Sequence, residues 1–112
     1  MLGIAGQKGK VEMNPRQMTE IIDRKRYDTE KATLIAGDDY WDGHNYERSG
    51  RNTFLYRTAK GSYFAQHLTC WQGERNCIEP LSVDEATELW EDLSERRVEY
   101  EEAFPGIEVE DA

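Results

Sequence analysis

NTFLYRTAKGSYFAQHLTCW, residues 52–71, is the stretch on which the fold depends. Two runs rich in aromatic and β-branched residues flank Lys60 and Gly61. Glycine takes the positive φ angle that a tight turn between antiparallel strands requires, and aromatic and β-branched side chains favour strands. The stretch therefore predicts a β-hairpin.

Shorter strand-like segments lie on both sides of this hairpin. Upstream, TEIID (19–23), RYDT (26–29) and TLIAG (33–37) have strand-like patterns, with a helical turn expected at 29–32. Downstream, WQGERN (71–76) predicts a loop, and CIEP (77–80) predicts a short strand that Pro80 ends. The sequence thus predicts a small antiparallel sheet of three to four strands.

The segment after the sheet, SVDEATELWEDLSERRVEYEE (82–102), has the pattern of a long helix. Ser82 and Glu85 have the spacing of a capping box, in which hydroxyl and carboxylate satisfy backbone donors at a helix start. The FPG sequence at 104–106 is expected to stop the helix. We therefore expect an α+β fold, in which the sheet packs against one helix spanning residues 82–103. The apolar face of that helix contains Ala86, Leu89, Trp90 and Leu93.

Three regions are expected along the chain. Residues 1–17 contain glycine and proline without a sustained apolar pattern, which predicts a flexible N-terminal arm. Residues 18–104 form a single α+β domain, since 112 residues support one core, and residues 105–112 form an acidic tail. The sequence has neither a stretch of about 20 apolar residues nor a secretory signal, so we expect a cytoplasmic protein with reduced cysteines.

The formal net charge of -9 is concentrated in the last third of the chain. Residues 79–112 contain thirteen acidic and two basic residues, a net charge of -11, whereas residues 1–78 contain ten acidic and twelve basic residues, a net charge of +2. An acidic surface repels nucleic-acid phosphates and attracts cations. The charge therefore argues against nonspecific nucleic-acid binding and favours a basic partner.

The acidic residues of 82–102 other than Glu101, which lies near the apolar face, fall on one side of the expected helix. At spacings of three and four residues, like charges cost a few tenths of a kcal/mol per pair, so stability does not explain them. Carboxylates along such a helix would be spaced like backbone phosphates and would fit a groove lined by Arg and Lys. The alternative is a solvated helix face that aids solubility. The candidate partner-binding residues on this face are Asp84, Glu88, Glu91, Asp92, Glu95 and Glu99.

A second candidate binding element is DDYWDGHNYERSGRN, residues 38–52. Its Asp, Asn, Gly and Ser content predicts a long loop, and Tyr40 and Trp41 are its candidate partner-binding residues. A loop of this length with aromatic anchors is typical of a protein interaction module.

Four possible zinc ligands lie within 34 residues of each other, so a structural zinc is the one cofactor considered. Their spacing does not include a CxxC knuckle, and the alternative is that they are ordinary core or loop side chains. The four residues are His44, His67, Cys70 and Cys77.

Asp38, Asp39 and Asp42 with His44 would suit a small metal-dependent enzyme. The sequence contains no phosphate-binding glycine loop, nucleophile elbow or Cys/His catalytic signature to accompany them. A non-enzymatic protein is therefore favoured.

Basic residues cluster in DRKRY (23–27) and recur at Arg48, Arg51, Arg57 and Lys60. They would either bind nucleic acid or neutralise the acidic helix. Neutralisation is favoured, because nucleic-acid binding by a chain of this net charge would require strong charge segregation.

KRYDT (25–29), LYRT (55–58) with a following glycine and aromatic pair, and PLS (80–82) with a following EA and tryptophan form a series of motifs. In this series the chain resembles a group of small, mostly uncharacterised proteins of bacteria, their phages and mobile elements. The resemblance covers about residues 25–91, and HLTCWQGERNC (67–77) departs from the group's pattern. It implies a compact sheet with a helix and a mobile-element origin, without catalytic residues. In size, charge and architecture only, the chain is also similar to anti-CRISPR and anti-restriction inhibitors.

The leading hypothesis is an acidic, non-enzymatic inhibitor that mimics nucleic acid and binds the basic groove of a host defence protein, such as a CRISPR nuclease. The second is an interaction module, with or without zinc, that acts through residues 38–52. The third is the small metal-dependent enzyme. The first hypothesis requires that the carboxylates of the C-terminal segment face solvent.

Overall fold

The computed structural model describes residues 16–38, 51–69 and 72–112, and most of the expected N-terminal arm, residues 1–15, lies outside these ranges. The expected α+β class is confirmed. Within the described ranges, no helix is long and apolar enough to cross a bilayer. The elements are β1 (Thr19–Ile22), β2 (Lys25–Asp28), a 3₁₀ turn (Thr29–Lys31), β3 (Thr33–Gly37), β4 (Arg51–Arg57), β5 (Tyr63–Thr69), β6 (Cys77–Leu81), α1 (Val83–Asp92), β7 (Glu95–Arg96) and α2 (Tyr100–Ala103).

Strands β4 and β5 form the expected hairpin at the centre of the main sheet. Their register runs from Arg51 opposite Thr69 to Arg57 opposite Tyr63. Gly61 closes the turn with a φ of 91°, and its N–H donates to the carbonyl oxygen of Thr58 at 2.9 Å. The positive φ explains why a glycine stands at this position.

The main sheet has five antiparallel strands in the order β6-β5-β4-β3-β7, not the three to four that the sequence predicted. The strand that the sequence did not predict is β7, which pairs with β3. Pro80 lies inside β6 and does not end it, since β6 is an edge strand where a missing N–H is tolerated. Strands β1 and β2 form a separate two-stranded sheet.

The prediction of a single helix over residues 82–103 is wrong. Helix α1 ends at Asp92, Leu93 is extended with φ -78° and ψ 141°, and the chain returns to the sheet as β7 before α2. The N–H groups of Arg97 and Val98 donate to the carbonyl oxygen of Ile35 at 2.8 and 3.2 Å. The last turn of α1 has no basic residue, so its acidic side chains oppose the helix dipole. Ending the helix here lets the following residues satisfy backbone groups beside β3.

The main sheet carries an apolar cluster on each face, because consecutive side chains of a strand point to opposite faces. Helices α1 and α2 cover one cluster, and the β1–β2 hairpin contributes to the other. The predicted packing of Ala86, Leu89, Trp90 and Leu93 against the sheet is confirmed, since all four belong to the first cluster or pack against it, but Leu93 follows α1 and is not part of the helix. The helices and the β1–β2 hairpin therefore lie on opposite sides of the sheet. The second cluster consists of Tyr27, Phe54, Tyr56, Phe64, Leu68 and Ile78.

A short chain of buried polar groups fixes Arg16, the first described residue, against the sheet. The Tyr56 hydroxyl donates to Gln66 Oε1 at 3.2 Å, and Gln66 Nε2 donates to the carbonyl oxygen of Arg16 at 2.7 Å. Burial raises the pKa of Tyr56 to about 12, which further favours the protonated hydroxyl that donates in this bond. Gln66 is fully buried, and these bonds satisfy its amide.

One side chain near the end of the chain packs against the core. Ile107 contacts the first cluster, which the helices cover, and its N–H donates to the carbonyl oxygen of Phe104 at 3.3 Å. Residues 108–112 are exposed and contain Glu108, Glu110 and Asp111. These three carboxylates lie outside any helix or strand, which makes them a matched control for acids elsewhere.

Candidate functional site

Six carboxylates from three consecutive segments make up the candidate partner-binding site, which we call the acidic surface. The expected single helical stripe is replaced by a helix, a short strand and a helix start, because α1 ends early. Five of the six residues are exposed, and Glu95 is partly buried. The members are Asp84, Glu88, Glu91 and Asp92 of α1, Glu95 of β7, and Glu99, which precedes α2.

The part of the acidic surface on α1 keeps a spacing close to that of nucleic-acid phosphates. The members of the acidic surface on α1 are at positions 84, 88, 91 and 92. They span about 12 Å at a rise of about 1.5 Å per residue, or about one carboxylate per 4 Å. The phosphates of one DNA strand follow each other every ~3.4 Å when measured along the helix axis. A single helix over 84–102 would present carboxylates along about 27 Å, and this expectation is wrong because α1 has 10 residues.

The start of α1 is fixed by the predicted capping box. The Ser82 N–H donates to Glu85 Oε1 at 2.9 Å, and the Glu85 N–H donates to Ser82 Oγ at 3.1 Å. Glu85 therefore serves the helix itself, which is why it is not counted in the acidic surface. The other acids of α1 have no such role among the bonds of the described residues.

The two arginines that follow α1, Arg96 and Arg97, interact with other groups of the fold. Arg96 donates through Nε to the Trp90 carbonyl oxygen at 3.0 Å and through Nη2 to the Glu91 carbonyl oxygen. Its guanidinium also lies over the Trp90 ring, 4.5 Å from the centroid. Arg97 lowers the pKa of Tyr56, against the larger effect of burial. Arg96 thus caps the carboxyl end of α1 and leaves the neighbouring carboxylates to solvent.

Ion pairs do not neutralise the acidic surface from elsewhere in the described part of the chain. In residues 16–38, 51–69 and 72–112, the ion pairs are Arg51 with Glu74 and His67 with Glu79. Neither pair includes a member of the acidic surface. The predicted neutralisation of the helix by basic residues therefore does not take the form of direct ion pairs in these ranges.

Two of the four proposed zinc ligands lie side by side on the sheet. His67 of β5 and Cys77 of β6 are cross-strand partners, whereas Cys70 and His44 lie outside the described residues. His67 Nε2 is 2.8 Å from Glu79 Oε1, and His67 Nδ1 is 3.4 Å from Thr53 Oγ1. Among the residues described, no group of three or more His, Cys, Asp or Glu is arranged to hold a metal.

The thiol of Cys77 is exposed and not activated. Burial of part of the side chain, with smaller effects of Glu20 and Glu79, raises the pKa of the Cys77 thiol. A raised thiol pKa lowers the fraction of thiolate, which is both the nucleophile and the metal ligand. Cys77 is therefore a poor nucleophile in this arrangement.

A polar group that the sequence did not indicate joins β4 and β5 to the turn before β6. Arg51 forms a bidentate pair with the Glu74 carboxylate, and Thr69 Oγ1 donates to Glu74 Oε1 at 2.6 Å. The hydrogen bond from Arg51 is the main cause that lowers the pKa of Glu74. The pairing depends on a register that brings residues 51, 69 and 74 together, which sequence spacing alone does not reveal.

The aromatic candidates Tyr40 and Trp41 lie outside the described residues, as do Asp39, Asp42 and Arg48. Asp38, the first residue of the predicted loop, is tied to β4. Its Oδ1 accepts the Thr53 N–H and the Asn52 side-chain amide, each at 2.9 Å. Asp38 is therefore a structural acceptor in the described part of the segment.

Basic side chains gather at the end of the molecule formed by the β1–β2 hairpin and the β4–β5 turn. They line a cleft of about 480 Å³. The sequence grouped DRKRY with Lys60 in one possible basic patch, and these two segments do meet here. Lys31, which the sequence did not single out, joins them, whereas Arg51 and Arg57 do not line the cleft. The cationic lining consists of Arg24, Lys25, Arg26, Lys31 and Lys60.

Comparison of the chain with models of protein families, with curated proteins and with solved structures finds no match.

Proposed function

We propose that this protein is a non-enzymatic inhibitor that presents its acidic surface to the basic, nucleic-acid-binding groove of a host defence protein. A CRISPR nuclease or a restriction enzyme in the bacterial cytoplasm is the intended class of partner. The proposal rests on one observation: carboxylates from three consecutive segments face solvent, while the adjacent Arg96 binds backbone carbonyls.

Asp84 complements the helix dipole in the first turn of α1, but stability supplies no reason for the carboxylates that follow it, and a partner does. Like charges three and four residues apart on α1 destabilise the helix, and the acids near its end oppose the dipole. Arginine and lysine side chains of a nucleic-acid groove would remove this repulsion on binding. Electrostatic complementarity of this kind gives fast association and strong salt dependence.

The spacing of acids on α1 supports mimicry of a single phosphate strand over a short distance. About four phosphates of one strand cover the same ~12 Å. Because α1 has 10 residues, the proposed helical contact covers about 12 Å of the groove, and Glu95 and Glu99 follow α1 in the chain. Glu88, Glu91 and Asp92 are the central residues of the proposal, because all three are exposed on α1 beyond its first turn, where a carboxylate gains nothing from the helix dipole.

The test compares two variants that remove the same charge. Glu88→Gln, Glu91→Gln and Asp92→Asn together remove three charges from the acidic surface, and Glu108→Gln, Glu110→Gln and Asp111→Asn remove three from the exposed end of the chain. Immobilised wild-type protein is expected to capture a nucleic-acid-binding protein from bacterial lysate. Double-stranded DNA, or about 1 M NaCl, where the Debye length is about 3 Å, should release it.

Capture should weaken by roughly tenfold or more in the α1 triple variant and stay unchanged in the control variant. The purified partner should lose DNA cleavage on addition of the wild-type chain and regain it with the α1 variant. An equal loss of partner capture in both variants would mean that binding depends only on the net charge of the chain. Full capture by both variants would reject the acidic surface and leave the segment 38–52 as the binding element.

A further inference from the structure

We infer that the cleft between the β1–β2 hairpin and the β4–β5 turn is a binding site for an oligophosphate group, two or more linked phosphoryl groups. This site is separate from the acidic surface and does not depend on its function. The cleft has a volume of about 480 Å³, within the range of ~300–1,000 Å³ typical of small-molecule sites.

The charge of the cleft is the first argument. Its lining includes five cations, Arg24, Lys25, Arg26, Lys31 and Lys60, and one acid, Asp28. The five cations are exposed, and none forms an ion pair with an acid of residues 16–38, 51–69 or 72–112. A protein whose net charge is -9 thus concentrates cations around one small cavity. A ligand with several negative charges matches this excess.

The single acid of the cleft is already engaged by the fold. Asp28 Oδ1 accepts the Glu30 N–H at 2.9 Å and the Gln17 side-chain amide at 3.3 Å. The bond from the Glu30 N–H is the main cause that lowers the pKa of Asp28. The carboxylate therefore caps the 3₁₀ turn and interacts electrostatically with Lys31, and the other four cations remain for a ligand.

The turn that places Arg24 is the second argument. Ile22 pairs with Lys25, so Asp23 and Arg24 are the two residues of the β1–β2 turn, with φ of 55° and 65°. Both residues of such a turn need positive φ, which Gly, Asn and Asp adopt readily and Arg does not. An unfavourable residue that persists in a tight turn is typical of a functional site. Here it puts a guanidinium, which matches phosphate oxygens in a two-pronged geometry, at the rim of the cleft.

The rest of the lining suits a phosphorylated ligand. Thr58 Oγ1 accepts the Ser62 N–H at 3.0 Å, which leaves the Thr58 hydroxyl proton as a donor. Ala32, Ala59 and the buried Tyr27 contribute apolar walls. Five cations in a cavity of this size exceed what one phosphate needs, so linked phosphoryl groups are the better match.

The probes are inorganic tripolyphosphate, ATP and orthophosphate, titrated into the full-length chain by isothermal calorimetry at low ionic strength. We expect one tripolyphosphate per chain, binding at least tenfold more tightly than orthophosphate. ATP that binds like tripolyphosphate would show that the phosphates alone are recognised, and ATP that binds more tightly would show that the apolar walls also contact the nucleoside.

Two variants test the location. Arg26→Gln with Lys60→Gln should weaken tripolyphosphate binding at least tenfold, because the pair removes cations from both halves of the cleft. Arg24→Gly should also weaken binding while it keeps or improves thermal stability, since glycine suits the positive φ. The control that matches Arg24→Gly in removing one charge is Arg75→Gln, an exposed cation in the β5–β6 connection, at the opposite end of β5 from Lys60.

Unchanged affinity in the double variant, or equal loss in the control, would overturn the site. An arbitrary single-stranded oligonucleotide that binds far more tightly than tripolyphosphate, over many nucleotides, would also overturn it in favour of a nucleic-acid surface. The α1 triple variant should bind tripolyphosphate like the wild type, so failure of the inhibitor proposal and failure of this site give different results.

Discussion

At Glu88 the stability of the fold favours a neutral side chain, whereas the proposed function favours a carboxylate. It has acidic neighbours four and three residues before it, Asp84 and Glu85, and three and four residues after it, Glu91 and Asp92. Each position brings a like charge to about 5–6 Å on the helix surface. We therefore predict that Glu88→Gln stabilises the protein.

The size of the effect follows from these four pairs. Each like-charge pair costs about 0.2–0.5 kcal/mol, so removing one carboxylate relieves about 1–2 kcal/mol at low ionic strength. Glu and Gln have nearly equal helix propensity, so the substitution has no second effect of similar size. For a domain of this length, about 1 kcal/mol shifts Tm by ~4 °C, and the expected rise is about 4–8 °C.

The assay is thermal and urea denaturation at low ionic strength and again in about 1 M NaCl. The rise should shrink in salt, where the Debye length falls to about 3 Å. Glu108→Gln, outside any helix or strand, is the control and should leave Tm unchanged. A fall in Tm for Glu88→Gln, or a rise that salt does not reduce, would show that Glu88 interacts with the fold in another way. The premise of the acidic surface would then be refuted.

Three further substitutions test the packing, capping and electrostatics of the fold. Gly37→Ala places a Cβ 2.6 and 2.9 Å from ring carbons of the fully buried Phe54. The clash should lower the free energy of unfolding by about 1–3 kcal/mol, more than the ~0.4–1 kcal/mol that replacing a glycine usually gains. An unchanged midpoint of urea denaturation would contradict this prediction. Ser82→Ala removes the capping box and should cost about 1 kcal/mol in urea denaturation, whereas Ser82→Asn should retain most of it. The hydrogen bond from Arg51 lowers the pKa of Glu74 in the folded protein below its ordinary value of 4.5. The stabilising contribution of Glu74 is therefore complete above pH 4.5 and is lost as the pH falls through the lowered pKa. Arg51→Gln should raise the titration midpoint of Glu74 measured by NMR, and an unchanged midpoint would refute the pairing.

The central hairpin could be predicted because its signals are local. Aromatic and β-branched side chains on both sides of Gly61 determine two strands and a turn without reference to the rest of the chain. The capping box at Ser82 and the 3₁₀ turn at Thr29–Lys31 are equally local, and the sequence predicted both. Short-range patterns were therefore sufficient wherever the structure depends on neighbouring residues.

The end of α1 depends on a partner far away in the chain. Residues three and four positions after Leu93 are Arg96 and Arg97, which interrupt the apolar spacing of 86, 89, 90 and 93. This interruption was the available signal in the sequence. That the segment pairs with β3 follows from the free edge of β3 beside Ile35, which only the assembled sheet reveals. The basic cleft required the same long-range information, because it joins the β1–β2 hairpin to the β4–β5 turn.

The order of layers explains why the acidic surface and the basic cleft do not neutralise each other. Helix α1 packs on one face of the sheet, and the β1–β2 hairpin on the other. Packed layers lie about 10 Å apart, so the exposed charges of the two sides are separated by more than the Debye length of ~8 Å at physiological ionic strength. Substitutions in the acidic surface and in the cleft should therefore have additive effects on stability and independent effects on binding. A chain with a net charge of -9 can carry a cationic site because the sheet separates that site from the acids that determine the total.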